Sequence, residues 1–428
     1  MKKIIFPALL SFIFASFCFS QNINGRFSSS IYTFERFDSA DNSNNYVRGF
    51  QMLSLNLNHS DFSIRSYLNL ETDFSQKLKD DPRLRFYNLY FEARNILDIG
   101  TVRIGRQPIL TKAAGGTFDG ANLDLKYKPY KLSVFYGANV PAYQKLELSD
   151  NWWKDDYIFG SRFTTNVIES FHISLAYVDK NFKPEEYWAR RLDEDLNPIN
   201  VLISNKSNQF SFGTAEVDYK MDNVFSVNTR YDYDFNYEKT SKFEILGNYF
   251  HLPKINLNIY YNYREPRIKY NSIFSVFDYG TTQEIEFGGD YSFFKNYRFT
   301  GKFGYVTYKE ENTERFTLGV NSDYGSITYR KTMGYSGELD ALSVYGAHTF
   351  EDGLLTPSLG ISFTGYKLSE DTERNNLTTI LLGINVRPLR EVSFDLQTQY
   401  MNNKIYKNDY RLFFKINYWF NENLNLIK

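Results

Sequence analysis

Along most of this chain, apolar and polar residues alternate with a period of two. The clearest stretch runs from Phe225 to Phe235. Phe225, Val227, Thr229, Tyr231, Tyr233 and Phe235 fall on one side of an extended chain, and Ser226, Asn228, Arg230, Asp232 and Asp234 on the other. A helix would scatter these residues around its circumference, whereas a strand sorts them into two faces. The same sorting separates Ile285, Phe287, Tyr291 and Phe293 from Glu284, Glu286, Asp290 and Ser292. It separates Ile255, Leu257, Ile259, Tyr261 and Tyr263 from Asn256, Asn258, Asn262 and Arg264. Near the C-terminus Tyr410, Leu412, Phe414, Ile416, Tyr418 and Phe420 alternate with Arg411, Lys415 and Asn417.

The connections between these strands have their own rhythm. Long polar segments at 38–45, 75–82, 108–118, 139–154, 180–207, 236–241, 264–281, 310–313, 334–340, 367–376 and 401–408 alternate with tight ones. The tight ones include 59–61, 95–98, 128–130, 221–223, 251–254, 294–296, 322–325 and 387–391. With the N-terminus in the periplasm, this is the pattern of longer extracellular loops and short periplasmic turns. The strands are too numerous for one sandwich, and no crossover helices separate them. The expected fold is all-β: a transmembrane antiparallel β-barrel of about 22 strands, with any count from about 16 to 22 compatible. The strands near 31, 210 and 342 are the faint ones that make the count elastic.

Composition agrees with a membrane wall. Aromatic residues make up 18% of the chain, with 35 Tyr and 39 Phe, yet the mean hydropathy is −0.46. A soluble core is built mainly from Leu, Val, Ile and Ala. Aromatic girdles and a wet interior account for both values at once. Beyond the first twenty residues nothing is long and apolar enough for a spanning helix, which leaves a barrel as the way across a bilayer.

Those first residues read as a secretory signal peptide. Lys2 and Lys3 precede an apolar run from Ile4 to Phe19, and Ser20 is a small residue before Gln21. The expected organisation is a signal peptide over 1–20 and a single outer-membrane barrel over 21–428, with no plug domain ahead of the first strand. Cys18 is the one cysteine. The mature chain would therefore hold no disulfide, thiol nucleophile or cysteine metal site. The net charge is −1, and loss of Lys2 and Lys3 makes it two units more negative, which argues against nucleic acid as a partner.

Residues 103–127, RIGRQPILTKAAGGTFDGANLDLKY, hold the one glycine-rich stretch that could suggest chemistry. A phosphate loop needs such a turn to open a helix. Here Val102 and Ile104 alternate with Arg103 and Gly105 before the glycines, and Ala121, Leu123 and Leu125 alternate with Asn122, Asp124 and Lys126 after them. Strand on both sides excludes the nucleotide reading. Arg103, Gly105, Arg106 and Gln107, followed by Phe118, Asp119, Gly120 and Ala121, resemble the R-x-G-R-Q … F-D-G-A hairpin of alginate-export-type outer-membrane porins. The resemblance implies one outer-membrane barrel that passes solutes or a polysaccharide, through a pore rich in arginine and suited to polyanions. This chain departs from that pattern, because its inward bases are matched by acids.

Strand phase assigns the pore-lining candidates. The bases are Arg65, Arg94, Arg103, Lys126, Arg162, Arg230, Arg298, Lys302 and Arg330. The acids are Glu71, Asp73, Glu92, Asp124, Asp232, Asp234, Glu284, Glu286 and Asp290, with Asp395 in the same phase. They form a charged aqueous path, or they pair across strands to satisfy one another. Arg106 falls in the lipid-facing phase unless a bulge at Gly105 turns it. Trp152, Trp153 and Trp188 lie in two long loops, as interfacial anchors or as rings stacked on a solute in the lumen.

The four histidines, His59, His172, His251 and His348, all fall near periplasmic ends and lack metal-ligand spacing. A hydrolase facing outward would need a histidine base near the outer loops. The expectation is a non-enzyme without cofactor, metal or catalytic residue, sited in the outer membrane of a diderm bacterium. It would act as a passive porin for small polar solutes through a charge-balanced lumen. The alternatives are an export conduit for a secreted polysaccharide and a surface-binding or enzymatic barrel. The expected partners are outer-membrane lipid and lipopolysaccharide, the barrel-assembly machinery, and a small polar solute or polysaccharide.

Overall fold

The computed structural model describes residues 22–39, 42–76, 81–109, 111–112, 114–140, 156–182, 186–193, 195, 197–204, 210–267, 280–309, 311–334, 337–368, 372–404 and 408–423. The expected signal peptide, Trp152 and Trp153 lie outside the described residues.

Strands dominate. They are β1 (Asn22–Ser39), β2 (Asn42–His59), β3 (Phe62–Asp73), β4 (Arg83–Ile96), β5 (Gly100–Pro108), β6 (Thr117–Tyr127), β7 (Tyr130–Asn139) and β8 (Tyr157–Thr165). Next come β9 (Phe171–Asn181), β10 (Glu186–Leu192), β11 (Pro198–Ser204), β12 (Phe210–Met221), β13 (Phe225–Asp234), β14 (Lys239–Tyr249), β15 (Ile255–Arg264) and β16 (Thr282–Phe294). The last are β17 (Tyr297–Tyr308), β18 (Glu311–Ser322), β19 (Gly325–Gly334), β20 (Glu338–Ala347), β21 (Leu355–Lys367), β22 (Asn375–Leu389), β23 (Val392–Asn402) and β24 (Asp409–Asn423).

A sheet of 22 strands is built by antiparallel neighbours, and β24 pairs with β1 to close it. β10 and β11 form a separate hairpin, so β9 pairs directly with β12. Alternation survives the full circuit. At the closure Asn417 stands opposite Ser28, and the Ser28 hydroxyl donates to Asn417 Oδ1 at 2.7 Å. A wall that closes in phase has one continuous polar face and one continuous apolar face.

The polar face is the inner one. Arg230 on β13 donates from Nη2 to the carbonyl oxygen of Lys112, in the β5–β6 connection, at 2.8 Å. Four strands of wall separate β6 from β13, so these groups meet only across the interior. The opposite face exposes Phe27, Ile104, Leu257, Ile259, Phe287, Leu318 and Leu412. Ile104 is 57% exposed, a costly arrangement in water and the ordinary one against lipid. The chain is a transmembrane β-barrel of the outer-membrane type.

Aromatic side chains gather at the end that carries both termini. Tyr130 stacks on Phe163, Tyr219 contacts Phe171 and Phe225, and Tyr418 lies against Phe420. His251 meets Tyr249, and His348 meets Tyr324 and Phe350 in the same belt. Rings with one polar edge suit the membrane–water boundary.

The far end departs from expectation. The segment 38–45, read as a long loop, is largely strand: β1 and β2 pair as far as Ser39 and Asn42, with an irregularity beside Phe37. β18 starts at Glu311 and β20 at Glu338, inside two other expected loops. The 180–207 connection holds the β10–β11 hairpin. Spanning a bilayer takes about 9–11 tilted residues, whereas β1 and β2 have 18 each. Beyond the membrane both faces meet water, so the period-two signal fades while the hydrogen-bond ladder continues.

Candidate functional site

Between β5 and β6 the described residues Ile109, Thr111, Lys112 and Ala114 to Gly116 lie inside the barrel. The base of this loop begins with a row of glycines: Gly105 stands opposite Gly120, and Gly120 opposite Gly137. Gly105 has φ of +127°. A Cβ there would strike Leu89 O, and one on Gly120 would strike Tyr136 O. Three strands cross at backbone contact, which a side chain at any of the three positions would prevent.

Just beyond this row, Arg106 and Asp119 form a bidentate pair. Nε donates to Oδ1 at 2.7 Å and Nη2 to Oδ2 at 2.8 Å, with the residues 4% and 8% exposed. Strand phase had left Arg106 facing lipid or turned by a bulge. The structure pairs it instead, opposite Asp119 in register. Gln107 Nε2 donates to Gly120 O at 3.2 Å. Ile109 N donates to Gly116 O at 2.9 Å and closes the loop's base.

The loop then packs against the inner wall. Ile109 joins Phe118, Phe135, Ile158, Val178 and Phe212 in a buried apolar cluster, with Ala114 and Phe210 against it. Burying one such side chain contributes about 1.5–3 kcal/mol. Polar contacts fix the tip: the Lys112 ammonium pairs with Glu216, which also takes Arg162 at 2.9 Å. Lys112 is 57% exposed, so its ion pair contributes about 0–1 kcal/mol and the apolar anchor dominates.

A second connection reaches the same place. Arg267, in the β15–β16 connection, donates to Asp232 Oδ2 at 2.6 Å and lies 4.7 Å from the centre of the Phe212 ring. Burial draws its guanidinium below the ordinary arginine value, against the pull of the Asp232 charge. Asp232 is 0% exposed and also accepts from Thr214 at 2.9 Å and from Arg230 at 2.7 and 3.0 Å. Burying a carboxylate is costly unless its oxygens are hydrogen-bonded, and here they are.

The other candidate residues fall into separate clusters on the polar face. Glu71 lies 3.2 Å from Arg85 and 3.6 Å from Arg48, and Asp73 accepts from Arg48 at 2.9 Å. Glu92 takes Arg103 at 2.7 Å, Arg65 at 3.3 Å and Arg94 at 3.9 Å, and Arg103 continues to Asp124 at 2.6 Å. Glu286 accepts from Lys302 at 3.0 Å and from Arg315 at 2.8 Å, while Arg315 also pairs with Glu284. Asp290 accepts from Thr300 at 2.6 Å. Asp234 caps the next turn through the Asn236 and Tyr237 amides. Lys126, Arg298 and Arg330 make no ion pair among the described residues. Arg48, Lys112, Glu216, Arg267 and Arg315 were not among the sequence candidates. Lys112 and Arg267 sit in connections, where strand phase says nothing, and Glu216 sits on one of the faint strands.

Among the described residues no group of His, Cys, Asp or Glu could hold a metal ion. The four histidines stand at the end of the barrel that carries the termini. Trp188, on β10, is 70% exposed.

No family model matches the chain, and no curated protein matches it. Among solved structures it is similar to the P pilus usher (PapC) translocation pore, with a TM-score of 0.45 and 8% identity over 93% of this chain and 99% of that one. It is similar to OccAB4 of Acinetobacter baumannii, with a TM-score of 0.43 and 11% identity over 94% and 99%. OpdK of Pseudomonas aeruginosa, solved with vanillate, gives 0.41 and 9% over 94% and 100%.

Proposed function

We propose that this protein is a passive outer-membrane channel for small polar solutes, narrowed by the loop at 109–116. The observation that carries the reading is the loop's position across the interior of a closed 22-strand wall. With strands about 4.8 Å apart and tilted about 40°, such a wall is about 44 Å across, too wide for its own side chains to fill. The polar inner face then lines a watery path. Arg65, Glu71, Asp73, Glu92, Arg94, Arg103, Asp124, Lys126, Arg162, Arg230, Asp232, Asp234, Glu284, Glu286, Asp290, Arg298, Lys302 and Arg330 are its proposed lining. Most of these charges are paired within the wall, which favours neutral and zwitterionic solutes over polyanions. The reading includes cleavage after residue 20, a single barrel over 21–428, insertion by the assembly machinery, lipopolysaccharide around the wall and no catalysis.

Proteoliposome swelling tests it. Vesicles containing the purified protein swell in iso-osmotic small sugars or amino acids and do so more slowly as solute size rises. Vesicles that swell no faster than protein-free ones exclude a channel.

A further inference from the structure

The inner wall of β14–β18 holds a recess of about 400 Å³. It lies on the same inner face as the anchor of the loop, four strands further round the wall. One register row runs Glu216, Arg230, Glu244, Asn262, Glu284 across β12 to β16, from the anchor of the loop to the edge of the recess. The volume falls toward the lower end of the range of ligand pockets, about 300–1,000 Å³.

Its chemistry is mixed and internally neutral. Glu284 and Glu286 are balanced by Lys302 and Arg315, with Arg315 bridging both acids. An incoming anion or cation would have to break one of these pairs, at the cost of leaving a partner unpaired. A neutral molecule with vicinal hydroxyls breaks none. Each hydroxyl both donates and accepts, so it can donate to a spare carboxylate lone pair and accept from an ammonium or guanidinium N–H. The Asn248 and Asn258 amides offer further donors and acceptors on the same surface. Leu246 and Tyr260 supply the apolar part. The Tyr260 hydroxyl is already directed to Glu244 at 3.1 Å, which holds the ring in place. At the margin Asn262 Oδ1 is buried without a hydrogen-bond partner among the described residues.

We infer that this recess is a binding site for a neutral polyhydroxylated solute of mono- or disaccharide size, on the inner wall of the proposed channel. The inference rests on the channel reading only for how the solute arrives; binding itself does not require conduction.

The test uses the purified full chain with maltose as probe, by calorimetry in detergent and by current noise in planar bilayers. Wild type binds maltose and its open current is interrupted by it. Tyr260→Ala weakens binding at least about tenfold, and so does Asn258→Leu, which keeps every charge in place. Resistance to unfolding in detergent at room temperature checks that each variant is a barrel. Glutamate does not compete in wild type but does in Glu286→Gln, where Lys302 has lost its carboxylate. A calorimetric signal without conductance supports the recess and removes the channel. Conductance with no maltose heat and no interruption overturns the recess and leaves the channel. Equal maltose affinity in wild type and both recess variants also overturns it.

Discussion

Arg230 on β13 donates a 2.8 Å hydrogen bond to the main-chain carbonyl of Lys112, across the interior of the barrel. The same guanidinium holds Asp232, which holds Arg267 from another connection. One arginine therefore ties two chain connections to one stretch of wall.

The apolar anchor should matter more than the ion pair at the loop's tip. Ile109→Asn removes about 1.5–3 kcal/mol of burial and places an amide among Phe118, Phe135 and Phe212. Its single-channel current should become noisy, with openings larger than wild type. Lys112→Ala should leave the mean conductance within about 20%, because the half-exposed pair contributes about 0–1 kcal/mol. The reverse ranking in bilayer recordings would show that charge, and not packing, seats the loop.

The buried Arg106–Asp119 pair should be far more sensitive to loss of one partner than of both. Asp119→Ala removes the bidentate carboxylate from a buried guanidinium and costs about 3–5 kcal/mol, whereas Arg106→Met with Asp119→Leu is close to neutral. The temperature at which the folded band disappears from gels reads the difference. A double variant as unstable as the single one would contradict it.

The glycine row tolerates no side chain. Gly120→Ala would set a methyl group onto the Tyr136 carbonyl, so the variant should give little folded barrel. Gly115→Ala, where a Cβ meets nothing within 4 Å, should fold at the wild-type yield. Yields of detergent-resistant protein from membranes compare the two.

Barrel closure is open to a covalent test. Ser28 and Asn417 face each other across β1 and β24. Residues directly opposite in an antiparallel pair lie about 4.5–5.5 Å apart at Cα, within disulfide reach. Ser28→Cys with Asn417→Cys, in a Cys18→Ser chain, should oxidise to a disulfide; Ser28→Cys with Ser393→Cys, one strand further on, should not.

Much of the wall was legible because a membrane strand must show lipid on one side and water on the other, and residues such as Phe225 to Asp234 carry that sorting directly. The expected count of strands and the polar phase followed from it. Where both faces meet the same medium the signal vanishes, which is why the strand ends within 38–45 read as loop. The 108–118 connection was legible as an outer loop, but its inward fold was not, for a different reason. Ile109 and Phe118 look like ordinary flanks of a turn, and their partners Ile158, Val178 and Phe212 lie 40 to 103 positions away. Arg106 misled in the same way, since its partner Asp119 shares its phase and the pair satisfies itself.

On the proposed function the interior conducts and the loop narrows it. Single-channel recording of wild type beside a chain in which residues 110–115 are replaced by two glycines tests both parts at once. Wild type should give discrete, stable conductance steps, and the shortened chain steps at least about twofold larger. Protein that folds and inserts but gives no steps, with or without the loop, would contradict the proposed function.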